Sequence, residues 1–174
     1  MMTVSGILDR SPAPPHPFPE EVEWRYTQHR PFVAVYETAH RSVYLMQQRI
    51  RKQPYLAIFD GADTNATTAT RSPSTTPVQA LFMMNDKLAH EAADKLAVRI
   101  GLAFNDDAKR IDYAYRLCFG RPAAEDEIAL GIQYLQSCRE QLNSAGVPWD
   151  QQARAALASY TRVLMSSNEF LYVN

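Results

Sequence analysis

Thr75-Thr76-Pro77-Val78-Gln79-Ala80-Leu81-Phe82-Met83-Met84-Asn85-Asp86 decides the fold, because an irregular chain becomes a helical one here. Thr76 is a side-chain cap, Pro77 suits the first helical position, and Gln79 can reach back as the capping-box partner. Asn85-Asp86 can then re-cap a second segment. Its apolar stripe, Leu88, Ala92, Leu96, Ile100 and Ala103, keeps close to the helical period. His90, Glu91, Asp94, Lys95 and Arg99 occupy the other face, with Glu91 and Lys95 spaced for an i,i+4 pair.

Helices continue downstream. Asp106-Asp107 places carboxylates at the positive end of a third helix, with Ala108, Ile111, Tyr115 and Cys118 inward. Gly120 supplies the C-terminal stop and Pro122 prevents continuation. A fourth helix is expected over about 125–143, with Ile128, Ile132, Leu135 and Leu142 inward. After a turn at 143–148, a fifth runs over about 150–166 and turns Ala153, Leu157, Tyr160 and Leu164 inward. Short connections make neighbours antiparallel. The fold class is therefore mainly α: a C-terminal bundle of four to five helices, with an irregular Pro-rich N-terminal arm and a small amount of β.

Upstream, residues 1–76 read as that arm, with a short strand and a polar loop. Ser11-Pro12-Ala13-Pro14-Pro15-His16-Pro17-Phe18-Pro19 is extended, because each proline fixes φ and lacks a donor. Trp24, Tyr26 and Phe32 are expected to pin the arm on a folded body. The β-formers at the centre of Arg41-Ser42-Val43-Tyr44-Leu45-Met46-Gln47-Gln48-Arg49 predict a short strand, a helix being the alternative. Pro54–Phe59 predicts a helical turn, and 60–76 a polar loop.

Bulk properties narrow the function classes. The 174-residue chain has 18 basic and 19 acidic residues, a net charge of −1, which argues against nucleic acid as a partner. Apolar residues make up 46% of the chain, enough for a core, yet no run of about 18 of them exists to span a membrane. The first six residues lack the basic and apolar regions of a secretory signal. Cys118 and Cys138 read as half-buried helix residues, a disulfide between neighbouring helices being the alternative. The absence of Cys-x-x-Cys-His excludes a covalently attached haem on this segment.

Four segments, taken in order, resemble a known family. They are Arg41-Ser42-Val43-Tyr44-Leu45, Phe59-Asp60-Gly61-Ala62-Asp63-Thr64-Asn65-Ala66, Thr75 to Asp86, and Tyr115-Arg116-Leu117-Cys118-Phe119-Gly120-Arg121-Pro122. Together with the ending Ser167-Asn168-Glu169-Phe170-Leu171-Tyr172-Val173, they resemble the planctomycete-type domain of unknown function 1553, also described as the PSD-type domain. The likeness runs from Val4 onward. Family members carry a longer N-terminal part, so the resemblance implies a chain truncated at its start, with 1–76 and 77–174 parts of one domain. It further implies an exported protein of the periplasm or cell envelope, in which this domain follows a cytochrome-c-like region. Haem is then expected on a missing upstream domain and no cofactor on this chain. The family has no established catalytic residues, so none carries over.

Candidate chemistry concentrates in Asp60-Gly61-Ala62-Asp63-Thr64-Asn65-Ala66-Thr67, closed by Arg71, Thr75 and Thr76. Asp63, Asn65 and Thr67 have the alternate spacing of a calcium loop. Thr68 where an EF-hand has Gly, and Ser74 where it has Glu, reject that motif and leave only a weak calcium candidate. Turns closed by Asx side chains and a helix cap explain the same residues. A ligand site would use Asp60, Asp63, Asn65 and Arg71, with Arg49 as a further anion or sugar-hydroxyl contact. His16, His29, His40 and His90 lack zinc-ligand spacing, and His90 is expected to have no role. No catalytic motif is recognised. The functional expectation is a structural or interaction domain whose partners are other domains of the same polypeptide. A carbohydrate-binding or carbohydrate-active role at loop 60–76, with polysaccharide as partner, is the alternative.

The tail is expected to fold back, with Phe170 and Tyr172 locking the last helix.

Overall fold

The computed structural model describes residues 1–32, 34, 36–70 and 74–172. Residues 1–7 and 80–174 form one compact unit and residues 8–79 another. The helices are α1 (Met2–Ser5), α2 (Pro54–Ile58), α3 (Pro77–Asn85), α4 (Lys87–Ala103), α5 (Asp107–Phe119), α6 (Glu125–Ser144), α7 (Trp149–Met165) and α8 (Asn168–Leu171). The mainly α class is thus observed.

Local signals set the helix ends. Thr76 N–H donates to Gln79 Oε1 (3.1 Å) while Thr76 Oγ1 accepts from Gln79 N–H (3.4 Å), the reciprocal capping box expected of this sequence. Asp86 caps α4 by accepting from Leu88 N–H, and Asp106 caps α5 by accepting from Lys109 N–H. α5 stops at Gly120, whose φ of 72° is the left-handed conformation that glycine adopts without a Cβ penalty. Ala124 offers no side-chain acceptor before α6, so Glu127 alone reaches back to the Ala124 N–H, at 2.8 Å.

The core of the helical unit lies where α4 meets α7. Ala89, Ala92, Ala93, Leu96, Ala97 and Ile100 of α4 are buried, opposite Ala156, Leu157, Tyr160, Thr161, Leu164 and Met165 of α7. The alanines let the two backbones approach closely. Thr161 accordingly lies within 3.0 Å of the α4 carbonyl of Ala93, its hydroxyl shared with the Ala158 carbonyl. Ala93 meets Thr161 and Gly101 meets Leu157, so the helices run antiparallel. α6 packs antiparallel to both α5 and α7. Its Gly131 is a point of contact: a Cβ there would come within 2.8 Å of both Ile111 Cδ1 and the Tyr160 hydroxyl oxygen.

Several expectations are corrected. The strand over 41–49 is a 3-10 turn at Ser42–Tyr44 followed by bends. A strand exists only through a ladder partner, and the β contacts among the described residues are isolated bridges, Asp9 with His40 and Thr27 with Arg30. Met2–Ser5, expected in the arm, is a helical turn packed on α4, with Ser5 buried and Arg99 Nη1 donating to the Val4 carbonyl at 2.8 Å. Ala103 and Ala153 are exposed, because each sits near a helix end beyond the facing stripe. Glu91 pairs with Lys87 at 3.5 Å rather than with Lys95. Cys118 and Cys138, by contrast, are the half-buried helix residues expected, both free thiols, and burial pushes the Cys118 thiol up to about 11.

Within residues 8–79 the arm's rings pack on one another: Trp24 on Tyr26, Tyr26 edge-on to Phe32 at 5.0 Å, and Phe32 on Phe18 at 5.5 Å. Among the described residues of this unit, the buried one is polar. Gln79 donates to the Ile58 carbonyl at 3.0 Å, which ties α2 to the start of α3.

Leu96→Ala empties a fully buried position and is expected to cost about 2–5 kcal/mol, read from chemical denaturation. Gly131→Ala tests the α6 crossing. Replacing a mid-helix glycine by alanine ordinarily gains about 1 kcal/mol; here the melting temperature is expected to fall, because the new methyl meets Ile111 and Tyr160.

Candidate functional site

The polar loop is built around Asp60. Its φ of 54° is left-handed, a conformation that Asp tolerates better than most residues. This turns the chain sharply after α2. Gly61 follows because its N–H bonds the Leu56 carbonyl at 2.6 Å, and a Cβ there would lie 2.6 Å from that oxygen. The Asp60 carboxylate then accepts from the Ser74 N–H at 2.8 Å and the Ser74 hydroxyl at 2.7 Å. Asp63 accepts from the Asn65 N–H at 3.0 Å, a two-residue Asx turn. Asn65 donates to the Arg49 carbonyl at 2.8 Å, and Thr64 donates to the Gln48 carbonyl at 3.1 Å.

The structure therefore brings Asp63, Asn65 and the Arg49 backbone together, while Asp60 turns to Ser74 and Gln79. Thr67 is exposed. Arg71 lies outside the described residues. No group of three His, Cys, Asp or Glu side chains able to hold a metal occurs among the described residues. A cleft of about 480 Å³ lies elsewhere in this unit, lined by His16, Phe18, Tyr44, Leu45 and Gln47 among others.

Among the described residues, the most highly connected charged cluster, which sequence reasoning missed, surrounds Arg121 in the helical unit. Arg121 Nε and Nη2 donate to the two oxygens of Glu169 at 2.7 and 2.9 Å. Its Nη1 and Nη2 donate to the two oxygens of Glu127 at 2.8 and 2.7 Å, and Nη1 also reaches the Pro122 carbonyl at 3.2 Å. A guanidinium has five N–H donors, and five acceptors surround this one. The rings of Tyr115 and Phe119 lie 5.2 and 5.8 Å from its carbon. Asp112 holds the same corner by accepting from Ala123 N–H (3.1 Å) and Arg116 Nε (2.7 Å).

These contacts set the electrostatics. The Arg121 guanidinium and the Ala124 N–H hold Glu127 down to about 2, and Arg121 lowers Glu169 as well. Arg121 is raised in turn by its two carboxylates. At the other end of α5, hydrogen bonding from Arg139 lowers Asp107, whose oxygens accept from Arg139 at 2.7 and 2.9 Å and from Arg110 at 3.2 Å.

The tail folds back as expected, with α8 against α5 and α7, and a polar contact adds to it. Ser167 caps α8, and Glu169 reaches back 48 residues to Arg121, while Phe170 and Tyr172 are half-buried. The missed signal was the pairing of an arginine after a glycine stop with an acidic residue in the last turn of the chain. Sequence spacing alone does not specify such a contact.

A family model described as PSD1, protein of unknown function (DUF1553), matches residues 1–135. The chain belongs to that family. No curated protein and no solved structure matches it. The matched residues include the Asp60-Gly61 turn, the Thr76–Gln79 capping box, and Gly120-Arg121-Pro122 with Glu127; Glu169 lies beyond them.

Acid should dissolve the Arg121 cluster in a defined window. Glu127 has a depressed folded value, so its stabilisation is complete above the ordinary value of 4.5 and is lost as pH falls towards about 2. Arg121→Met is expected to melt below the wild type at neutral pH, with the gap closing between pH 4.5 and about 2. Melting curves across that range, followed by circular dichroism, make the check.

Proposed function

We propose that this chain is a non-catalytic structural and interaction domain of a larger exported, cytochrome-linked protein, held against other domains of the same polypeptide at the cell envelope. One end of the helical bundle supports this reading. Leu102 at the end of α4 and Trp149 at the start of α7 are each 84% exposed, and Phe104 is 37% exposed. The antiparallel course of α4 and α7 gathers them at the same end. Large apolar side chains left exposed towards one end of a bundle are candidates for contact with another surface. Tryptophan in particular is enriched at the centre of such contacts.

The polar groups favour the same reading over polysaccharide recognition at loop 60–76. Asp60, Asp63 and Asn65 direct their hydrogen bonds to their own backbone and to neighbouring side chains. The five donors of Arg121 are likewise engaged within the helical unit. A guanidinium that binds a ligand needs some of its donors in reserve.

Fluorescence tests the proposal directly. With Trp24 replaced by Phe, Trp149 is the one tryptophan of this chain. The parent polypeptide carrying Trp24→Phe, with any tryptophan outside this chain also replaced by Phe, should show acrylamide quenching of Trp149 several-fold weaker than in this chain alone. Equal quenching in the two would overturn the docking assignment.

A further inference from the structure

His90 is the one histidine of the helical unit, and it joins three helices. From α4 its Nδ1 lies 2.7 Å from Arg162 Nη1 on α7, and its Nε2 lies 2.8 Å from the Met84 carbonyl in the last turn of α3. The chemistry of the two partners settles the proton. A guanidinium only donates, so Nδ1 is the acceptor. A carbonyl only accepts, so Nε2 carries the hydrogen. The Met84 carbonyl belongs to the last turn of α3, where carbonyls lack intrahelical partners, and His90 caps it. Both contacts together therefore require the neutral imidazole in one tautomer.

We propose that His90 is an acid-sensitive latch between α7 and the α3–α4 corner. Protonation places a hydrogen on Nδ1 where the Arg162 N–H already points, so a donor meets a donor and a positive charge meets another. The Nε2–H bond to Met84 survives, since an imidazolium still donates there. Acid thus releases α7 from the latch while leaving α3 capped.

Among the described residues, Arg162 forms no ion pair with a carboxylate that could replace this contact. On α4 itself, Lys87 and Glu91 pair with each other at 3.5 Å, and Asp86 is occupied as the helix cap of Leu88. Asp94 lies one turn further along α4 on an exposed position. α3 presents a carbonyl and has no ionisable side chain, and neither does α1. From α7 the facing group is Arg162.

The test is amide hydrogen exchange on the full chain, followed by NMR through the His90 titration and expressed as protection factors, which remove the intrinsic pH dependence. In the wild type, protection at 162–165 is expected to fall at least about tenfold as the His90 ring protonates, with little change at 84–86. His90→Gln keeps an acceptor and a donor without titrating, so that step should vanish. Arg162→Gln should also abolish it, while the His90 ring still titrates. The latch is refuted by protection at 162–165 that stays constant through the wild-type titration. An undiminished step in either variant that folds would refute it equally.

Discussion

The close approach of α4 to α7 is the constraint on which the helical unit rests. Four alanines on the buried face of α4 remove the bulk that would hold two helices apart, and the Thr161 hydroxyl lies against the Ala93 carbonyl as a result. Small side chains give up apolar area, so the seam is completed by Leu96, Ile100, Leu157 and Leu164, whose burial supplies the hydrophobic driving force. The other elements are arranged around that seam. α1 lies on the α4 side, α6 packs along α7 through Gly131, and α5 joins the two across the Ile111 contact.

Charge then fixes the corners that packing leaves open. Asp107 with Arg139 holds the start of α5 to α6, and Arg121 with Glu127 and Glu169 holds the end of α5 to the start of α6 and to the tail. Each is a bidentate pair, the geometry in which a guanidinium gives the most orientation per contact. Their exposure limits what they add to global stability. Their value lies in selecting one arrangement of the short connections. The Gly120-Arg121-Pro122 segment is an example: glycine ends α5, proline blocks its resumption, and the arginine between them gathers both acidic partners.

The unit formed by residues 8–79 works by other means. It has no buried apolar side chain among its described residues; ring-on-ring contacts and backbone hydrogen bonds organise it. Its family-matching turn follows from conformation. Asp60 takes a left-handed φ, Gly61 gives room beside the Leu56 carbonyl, and the Asp60 carboxylate gathers Ser74. Asp60, Asp63 and Asn65, singled out for ligand chemistry, thereby take part in shaping the loop.

Much of the helical architecture was legible because helix signals are local. The Thr76–Gln79 capping box, the Asp86 and Asp106 caps, the Gly120 stop and the 3.6-residue stripes through Leu96 and Leu157 each depend on neighbours within a turn or two. The strand expected at 41–49 failed for the opposite reason: β propensity has meaning only beside a partner strand, and none stands there among the described residues. The first turn of the chain was missed because four residues carry too little periodicity to reveal a helix held by packing on α4. The site was least legible. Asp60, Asp63 and Asn65 were recognised as polar, but where a carboxylate spends its lone pairs depends on groups brought close from outside the turn. Sequence alone determined where helices begin and end, since backbone caps and side-chain periodicity act over a few residues. Only the tertiary structure decided that Glu169 meets Arg121, that Arg162 meets His90, and that the Asp60 carboxylate turns to Ser74. Those contacts join residues 14 to 72 positions apart, and folding in three dimensions is what brings such residues within hydrogen-bond distance.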